Sequence, residues 1–297
     1  MSSSLAGFLF SLTAYSMWGV FPLFFHLLRE IPSTEVLLHR VIWSFLFVSL
    51  LLLAMGWHVR PWRVLKTPRL MMGLLLSAFL VSFNWLVFIW AVAQGRVLES
   101  SLGYFLTPLV SVFLARFFLR EVINRAQFSA ILIALAGILW LLLRLGYLPW
   151  VSLLLALSFG LYGLVRKRLE VDPLTGLSVE TGLLLPLALV YWGYLLGQQQ
   201  DHFMQLQPDY AWLLMASGLV TSLPLLFFAA ATRRLSLTVV GFMMYINPSL
   251  QFVVALWLLD EPFNRDQLIG FCFIWVALVV FSLGSMPRPR DSHYQLK

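Results

Sequence analysis

The sequence predicts an all-α, polytopic membrane bundle of ten transmembrane helices, built as two inverted five-helix repeats. Three observations carry that prediction: apolar runs recur between short polar breaks, basic residues collect on alternate breaks, and a loop motif returns at a fixed spacing. With 61% hydrophobic and 11% charged residues over 297 positions, the chain is far from the composition of a soluble domain.

A helix crosses a hydrocarbon core with roughly 20 mostly apolar residues. Runs of that length lie near 5 to 28, 35 to 56, 70 to 93, 97 to 119, 126 to 144, 147 to 165, 177 to 197, 210 to 231, 236 to 259 and 266 to 285. They are numbered here as spans 1 to 10. Turn-forming and polar residues end the runs, among them Arg60-Pro61-Trp62-Arg63, Gly146-Tyr147-Leu148-Pro149, Asp172-Pro173, Gln198 to Asp201 and Glu261-Pro262. No Lys or Arg precedes Leu5 and no small-residue cleavage site follows span 1, so that span is expected to be a retained helix rather than a signal peptide. The lone cysteine, Cys272, lies in span 10, which excludes an intrachain disulfide and a cysteine metal cluster.

The formal charge is +7, but the basic residues form short clusters between spans rather than one basic face, so no nucleic-acid partner is expected. With a cytoplasmic N-terminus, 15 Lys and Arg fall inside, from Arg60 to Lys297, and five fall outside: Arg29, Arg40, Arg96, Arg144 and Arg265. That split follows the positive-inside rule and places both termini in the cytoplasm.

Pro108, Ala115, Leu119, Glu121, Asn124, Arg125 and Gln127 return as Pro248, Ala255, Leu259, Glu261, Asn264, Arg265 and Gln267, each 140 residues later. Trp18-Gly19 against Tyr162-Gly163 and Glu35 against Glu180 are weaker echoes. The repeat divides the chain into residues 1–145, residues 146–285 and a cytoplasmic tail at 286–297. Five spans per half invert the second copy relative to the first, an arrangement common in secondary transporters. The plainer alternative is that duplication is only an easy route to a large membrane fold.

Ionisable groups in hydrocarbon cost roughly 2.5 to 3.5 kcal/mol on insertion scales, so those that persist there generally face a cavity or a partner. His39 and Arg40 open span 2, and Glu99 opens span 4 on the same side. They are expected to line an outer vestibule or gate; alternatively Arg40 snorkels to headgroups and Glu99 caps its helix. Deeper lie Asn84, Trp85 and Trp90 in span 3, Tyr104 and Thr107 in span 4, and Tyr245, Asn247 and Gln251 in span 9. With Trp43 of span 2, these residues form the expected substrate pathway, an aromatic pocket with a few polar groups. Packing or lipid-facing roles are the alternative for any single tryptophan.

Pro108 and Pro248 each remove a backbone donor, which leaves the carbonyls of Tyr104 and Met244 without a helical partner. The matched pair is the expected hinge; an ordinary kink satisfied by a nearby Ser or Thr is the alternative. No His-Glu-x-x-His, Gly-x-Ser-x-Gly or phosphate-cradling loop occurs, so neither an enzyme nor an ATP-driven pump is expected. Four of the five histidines, His26, His58, His202 and His293, sit in breaks or the tail, and no metal or cofactor is expected.

Several stretches resemble the RarD family, in the EamA-type branch of the drug/metabolite transporter superfamily. They are Ala14-Tyr15-Ser16-Met17-Trp18-Gly19-Val20-Phe21-Pro22, Glu35 through Ser44, Asn84-Trp85 through Trp90-Ala91, Glu99 through Phe105, and Gly241 through Pro248. The resemblance covers nearly the whole chain and implies a bacterial inner-membrane permease with two EamA repeats. Family members are commonly labelled chloramphenicol-sensitivity permeases, which implies drug export without naming a physiological ligand. One departure is that Glu261 is followed by Pro262, whereas Glu121 is followed by Val122.

The expected function is a secondary transporter that exports a small metabolite or a drug such as chloramphenicol by alternating access, with spans 3, 4, 8 and 9 around the site. Its expected partners are membrane lipids and the small-molecule substrate. A proton carried by His39 or Glu99 is a candidate coupling ion. The competing function is a non-transporting membrane receptor or assembly protein, for which two exchangeable halves serve no purpose.

Overall fold

The computed structural model describes residues 3–28, 30–93, 97–145, 150–203, 208–258 and 265–285. Every regular element among them is a helix: α1 Ser3–Gly19, α2 Phe21–Leu27, α3 Ser33–Ala54, α4 Arg60–Leu65, α5 Pro68–Ala93, α6 Val97–Phe118 and α7 Arg125–Leu145 come first. Then follow α8 Trp150–Arg168, α9 Pro173–Gly197, α10 Pro208–Thr232, α11 Leu237–Met243, α12 Ile246–Leu258 and α13 Arg265–Ser285. Seven stretches are long and apolar enough to cross a bilayer: Ser3–Phe25, Ser33–Ala54, Pro68–Ala91, Arg125–Arg144, Trp150–Arg168, Pro173–Gly197 and Tyr210–Thr232. Gly103–Phe118 and Leu268–Phe281 are apolar but shorter. The chain is a multi-pass helical membrane protein, in which helices satisfy their own backbone groups where water is absent.

Two predicted spans are broken. Span 1 divides into α1 and α2 at Gly19-Val20, with Pro22 in the first turn of α2, where a missing N–H leaves no helical bond unmade. Gly19 sits against α12, and a Cβ there would lie 2.6 Å from Leu250 Cβ. Span 9 divides into α11 and α12, and the chain between them tightens into three-residue turns. Met244 N donates to Gly241 O at 3.2 Å, Tyr245 N to Phe242 O at 3.2 Å, and Asn247 N to Met244 O at 3.0 Å. The last bond corrects the expectation that Pro248 orphans the Met244 carbonyl, because the amide of Asn247 takes it. Pro108, by contrast, sits inside a continuous α6. The matched prolines therefore occupy unlike helices.

The extensive helix contacts join the two halves of the chain. α13 runs along α7, α8 packs on α5 and α6, α3 lies against α9 and α10, and α1 lies against α10 and α12. Small residues allow several of these approaches: Gly137 of α7 faces Phe273, and Gly270 of α13 faces Leu141. Large apolar side chains such as Phe117, Leu187 and Val190 remain exposed around the bundle, as a lipid-facing surface requires.

The repeated loop motif has a local physical purpose. Asn124 and Gln127 form a reciprocal cap on α7: Gln127 N donates to Asn124 Oδ1 at 2.8 Å, and Asn124 N donates to Gln127 Oε1 at 3.0 Å. Glu121 reaches across to α11, where its carboxylate accepts from Leu237 N at 2.8 Å, Thr238 N at 3.1 Å and Thr238 Oγ1 at 2.7 Å. A carboxylate at a helix N-terminus satisfies amides that lack intrahelical partners and meets the positive end of the dipole. The second copy, Glu261 to Asn264, and the tail at 286–297 lie outside the described residues.

Candidate functional site

A close contact between α3 and α10 positions the central polar group. Gly218 lies against the backbone of Trp43, where any Cβ would collide, and Ser44 Oγ donates to the Gly218 carbonyl at 3.1 Å. One turn back on α3 and about one turn on along α10, the same register brings Arg40 to Thr221. Arg40 Nε donates to Thr221 Oγ1 at 2.8 Å. Its guanidinium carbon lies 4.6 Å from the centre of the Trp85 ring and 5.0 Å from that of Phe25.

Arg40 borders a cavity of about 50 Å3 shared by α1, α2, α3, α5, α6, α8 and α12. Trp18, Phe21, Pro22, Phe25, Trp85, Phe88 and Phe159 supply its apolar wall, and Asn84, Tyr104, Asn247 and Gln251 supply polar groups. The space suits a water rather than a metabolite. Asn84 ties α5 to α8 by donating to Leu155 O and Ser158 Oγ, both at 2.9 Å. Gln251 Nε2 donates to Asn247 Oδ1 at 2.8 Å, one turn apart on α12.

A second constellation lies where α3 begins and the chain leaves α9. Glu35 Oε1 accepts from the backbone N–H groups of His202 at 2.7 Å and Phe203 at 3.2 Å, while Oε2 lies 2.7 Å from His202 Nδ1. Trp192 Nε1 donates to Asp201 Oδ1 at 2.8 Å. His39 is fully buried against Phe203 and Trp192, and neither ring nitrogen has a hydrogen-bond partner among the described residues. One ligand-capable atom each of Glu35, His39 and Asp201 lies within 4.8 Å of the others, so among the described residues these three could hold a metal ion. The Glu35 carboxylate is already engaged by the loop, which accounts for its burial without an ion. Beside it opens a cleft of about 370 Å3.

The predicted pathway residues thus separate into groups. Arg40, Asn84, Trp85, Tyr104, Asn247 and Gln251 meet at the central cavity. His39 and Trp43 belong to the cluster around Phe203. Trp90 is half-exposed beside Trp150. Thr107 donates to the Gly103 carbonyl at 2.8 Å within α6, and Tyr245 is buried against Phe242 at the α11–α12 break. The side chain of Glu99 lies outside the described residues.

Phe25, Phe159, Met244 and Thr221 join the site although nothing in their local sequence marks them among so many apolar residues. A buried ion pair also escapes sequence reading: Arg166 of α8 meets Glu180 of α9 at 3.4 Å, and Ser77 of α5 donates to the same carboxylate oxygen.

Comparison with known proteins places this architecture. The EamA-like transporter family matches the chain twice, over residues 5–143 and 148–283. Protein RarD of Salmonella typhi is 44% identical, with 96% of this chain and 97% of that protein covered. The uncharacterized transporter YojE of Bacillus subtilis is 40% identical, with 96% of both chains covered. The chloramphenicol-sensitive protein RarD of Pseudomonas aeruginosa is 36% identical, with 92% of both covered. A crystal structure described only as that of a protein aligns with a TM-score of 0.68 at 17% identity, covering 95% of this chain and 98% of the other, which shows a shared fold. Two matches in tandem and full-length relatives of this identity establish that the chain is a RarD-type member of the EamA-like transporter family.

Proposed function

We propose that this protein is a secondary transporter that moves a small metabolite or drug out of the cell by alternating access. The observation that carries the reading is a central cavity lined from both halves: Arg40, Asn84, Trp85 and Tyr104 from the first, Phe159, Met244, Asn247 and Gln251 from the second. A cavity of about 50 Å3 admits such a molecule only when its walls part, and relative motion of two halves supplies that movement. In this reading ten spans form two five-helix repeats of opposite orientation, with Pro108 and Pro248 as hinges. Both termini lie in the cytoplasm and the bundle sits in a bacterial inner membrane. Chloramphenicol is a candidate substrate through the name of the Pseudomonas aeruginosa relative. His39, buried with no hydrogen-bond partner among the described residues, is the candidate proton carrier.

Counterflow of chloramphenicol in proteoliposomes tests the reading, together with maleimide labelling of Tyr104→Cys and Gln251→Cys. Because Cys272 is exposed, both substitutions belong in a Cys272→Ser background. Labelling that changes when ligand is added is the expected result. Fixed labelling, combined with no ligand counterflow, refutes transport. Tags on the two termini check the orientation, and an imposed pH gradient that drives no uptake removes the proton from the mechanism.

A further inference from the structure

Arg40 brings into the bundle a positive charge for which the described residues supply no carboxylate. Only 3% of the residue is exposed. Its single hydrogen bond to a described residue runs from Nε to the neutral hydroxyl of Thr221, and none of the ion pairs among the described residues includes it. The two terminal nitrogens thus have no described acceptor, and they belong to a residue that lines the central cavity. The ring faces of Trp85 and Phe25 offset part of the charge. They do not replace the hydration that a buried ion has lost, a loss that usually requires a paired counter-charge.

We propose that the central cavity receives a small organic monoanion, with Arg40 as its charge partner and an aromatic or planar apolar body against Trp18, Trp85 and Phe159. The proposal rests on the transport reading above and names the substrate class for the same site. One guanidinium with no carboxylate partner among the described residues matches one negative charge, and a dianion would leave a buried negative charge in its turn. A guanidinium whose Nε is already committed still offers a pair of Nη donors, which match the two oxygens of a carboxylate or another singly charged oxyanion. Asn247 and Gln251 of α12 and Tyr104 of α6 stand around the same space to orient polar substituents. An uncharged compound such as chloramphenicol can accept a hydrogen bond from Arg40 but forms no ion pair with it, so the charge separates two kinds of substrate.

Isothermal titration of the purified full-length protein in nanodiscs tests the assignment with phenylacetate, indole-3-acetate, their amides, phenylphosphonate and chloramphenicol. The acids are expected to bind at least about tenfold more tightly than the matching amides, and Arg40→Gln is expected to bring the acids to the level of the amides. Phenylphosphonate, which takes on a second negative charge near neutral pH, is expected to bind more weakly than the acids, and tighter binding by it overturns the match to a single charge. Equal binding of acid and amide overturns the proposal, as does acid binding that survives Arg40→Gln. Silence across all the acids overturns it too, whether or not chloramphenicol binds. If Arg40→Gln does not fold, the comparison of acid with amide in the unaltered protein decides. Arg40-dependent acid binding without counterflow in proteoliposomes sustains the anion site and refutes transport, so the two readings fail separately.

Discussion

Arg40 and Arg166 are buried to nearly the same degree, with 3% and 4% of each residue exposed, and the bundle holds them by opposite means. Arg166 meets Glu180 at 3.4 Å, Ser77 donates to the same carboxylate, and Gly176 leaves room for the guanidinium, which an added Cβ would strike. Three helices from the two halves converge there on a neutralised pair. Arg40 meets a hydroxyl and two aromatic faces and, among the described residues, no carboxylate. Both charges carry a desolvation penalty; at Arg166 it is offset by a carboxylate inside the fold, whereas at Arg40 the described residues offset it only in part. The first arrangement serves the folded bundle, and the second fits a site that waits for a charged ligand.

The largest expected effect lies at the paired site. Glu180→Gln leaves Arg166 without a counter-charge and is expected to lower stability by about 3–5 kcal/mol, read as a fall in the melting temperature of the purified protein. A melting temperature that does not move breaks the comparison. Gly176→Ala puts a methyl group into the space of the Arg166 guanidinium, and the expected loss is about 1–3 kcal/mol in the same measurement. Arg40→Gln gives up one hydrogen bond, worth about 1 kcal/mol, and relieves a partly compensated charge. Its melting temperature is therefore expected to stay level or rise while the tighter binding of the organic acids is lost.

Glu121 offers a third kind of compensation, in which helix amides balance a carboxylate in place of a cation. Glu121→Gln keeps part of that bonding and is expected to lower stability by about 1 kcal/mol. The smallest effect belongs to Trp90→Ala. That side chain is half-exposed and does not line the central cavity, so stability should change by no more than about 0.5 kcal/mol and binding should not change. Loss of binding in Trp90→Ala would show that the aromatic faces around Arg40 are not the ones that matter.

Much of the site was legible as intramembrane polarity. Arg40, Asn84, Tyr104, Asn247 and Gln251 stand out in apolar runs because hydrocarbon penalises such groups, and the central cavity collects all five. His39 and Arg40 are neighbours in sequence and look like one feature, yet successive residues on a helix point about 100° apart. His39 consequently faces Phe203 and Trp192, and Arg40 faces the cavity. The Arg166–Glu180 pair was hidden for another reason: Arg166 sits in a run of three basic residues at the end of α8, so it reads as an interfacial charge.

The sequence by itself determined that the chain is helical, crosses a membrane several times and contains a duplicated unit, because segment length, hydropathy and repeat spacing are properties of the linear chain. It also determined which residues are too polar to face lipid without a reason. Only the tertiary structure decided which charges are neutralised and which helices bend. Charge compensation depends on the groups that neighbouring helices bring within a few ångströms. The α11–α12 break likewise depends on local hydrogen bonds, and so Pro248 lies beside a break whereas Pro108 lies within an unbroken helix.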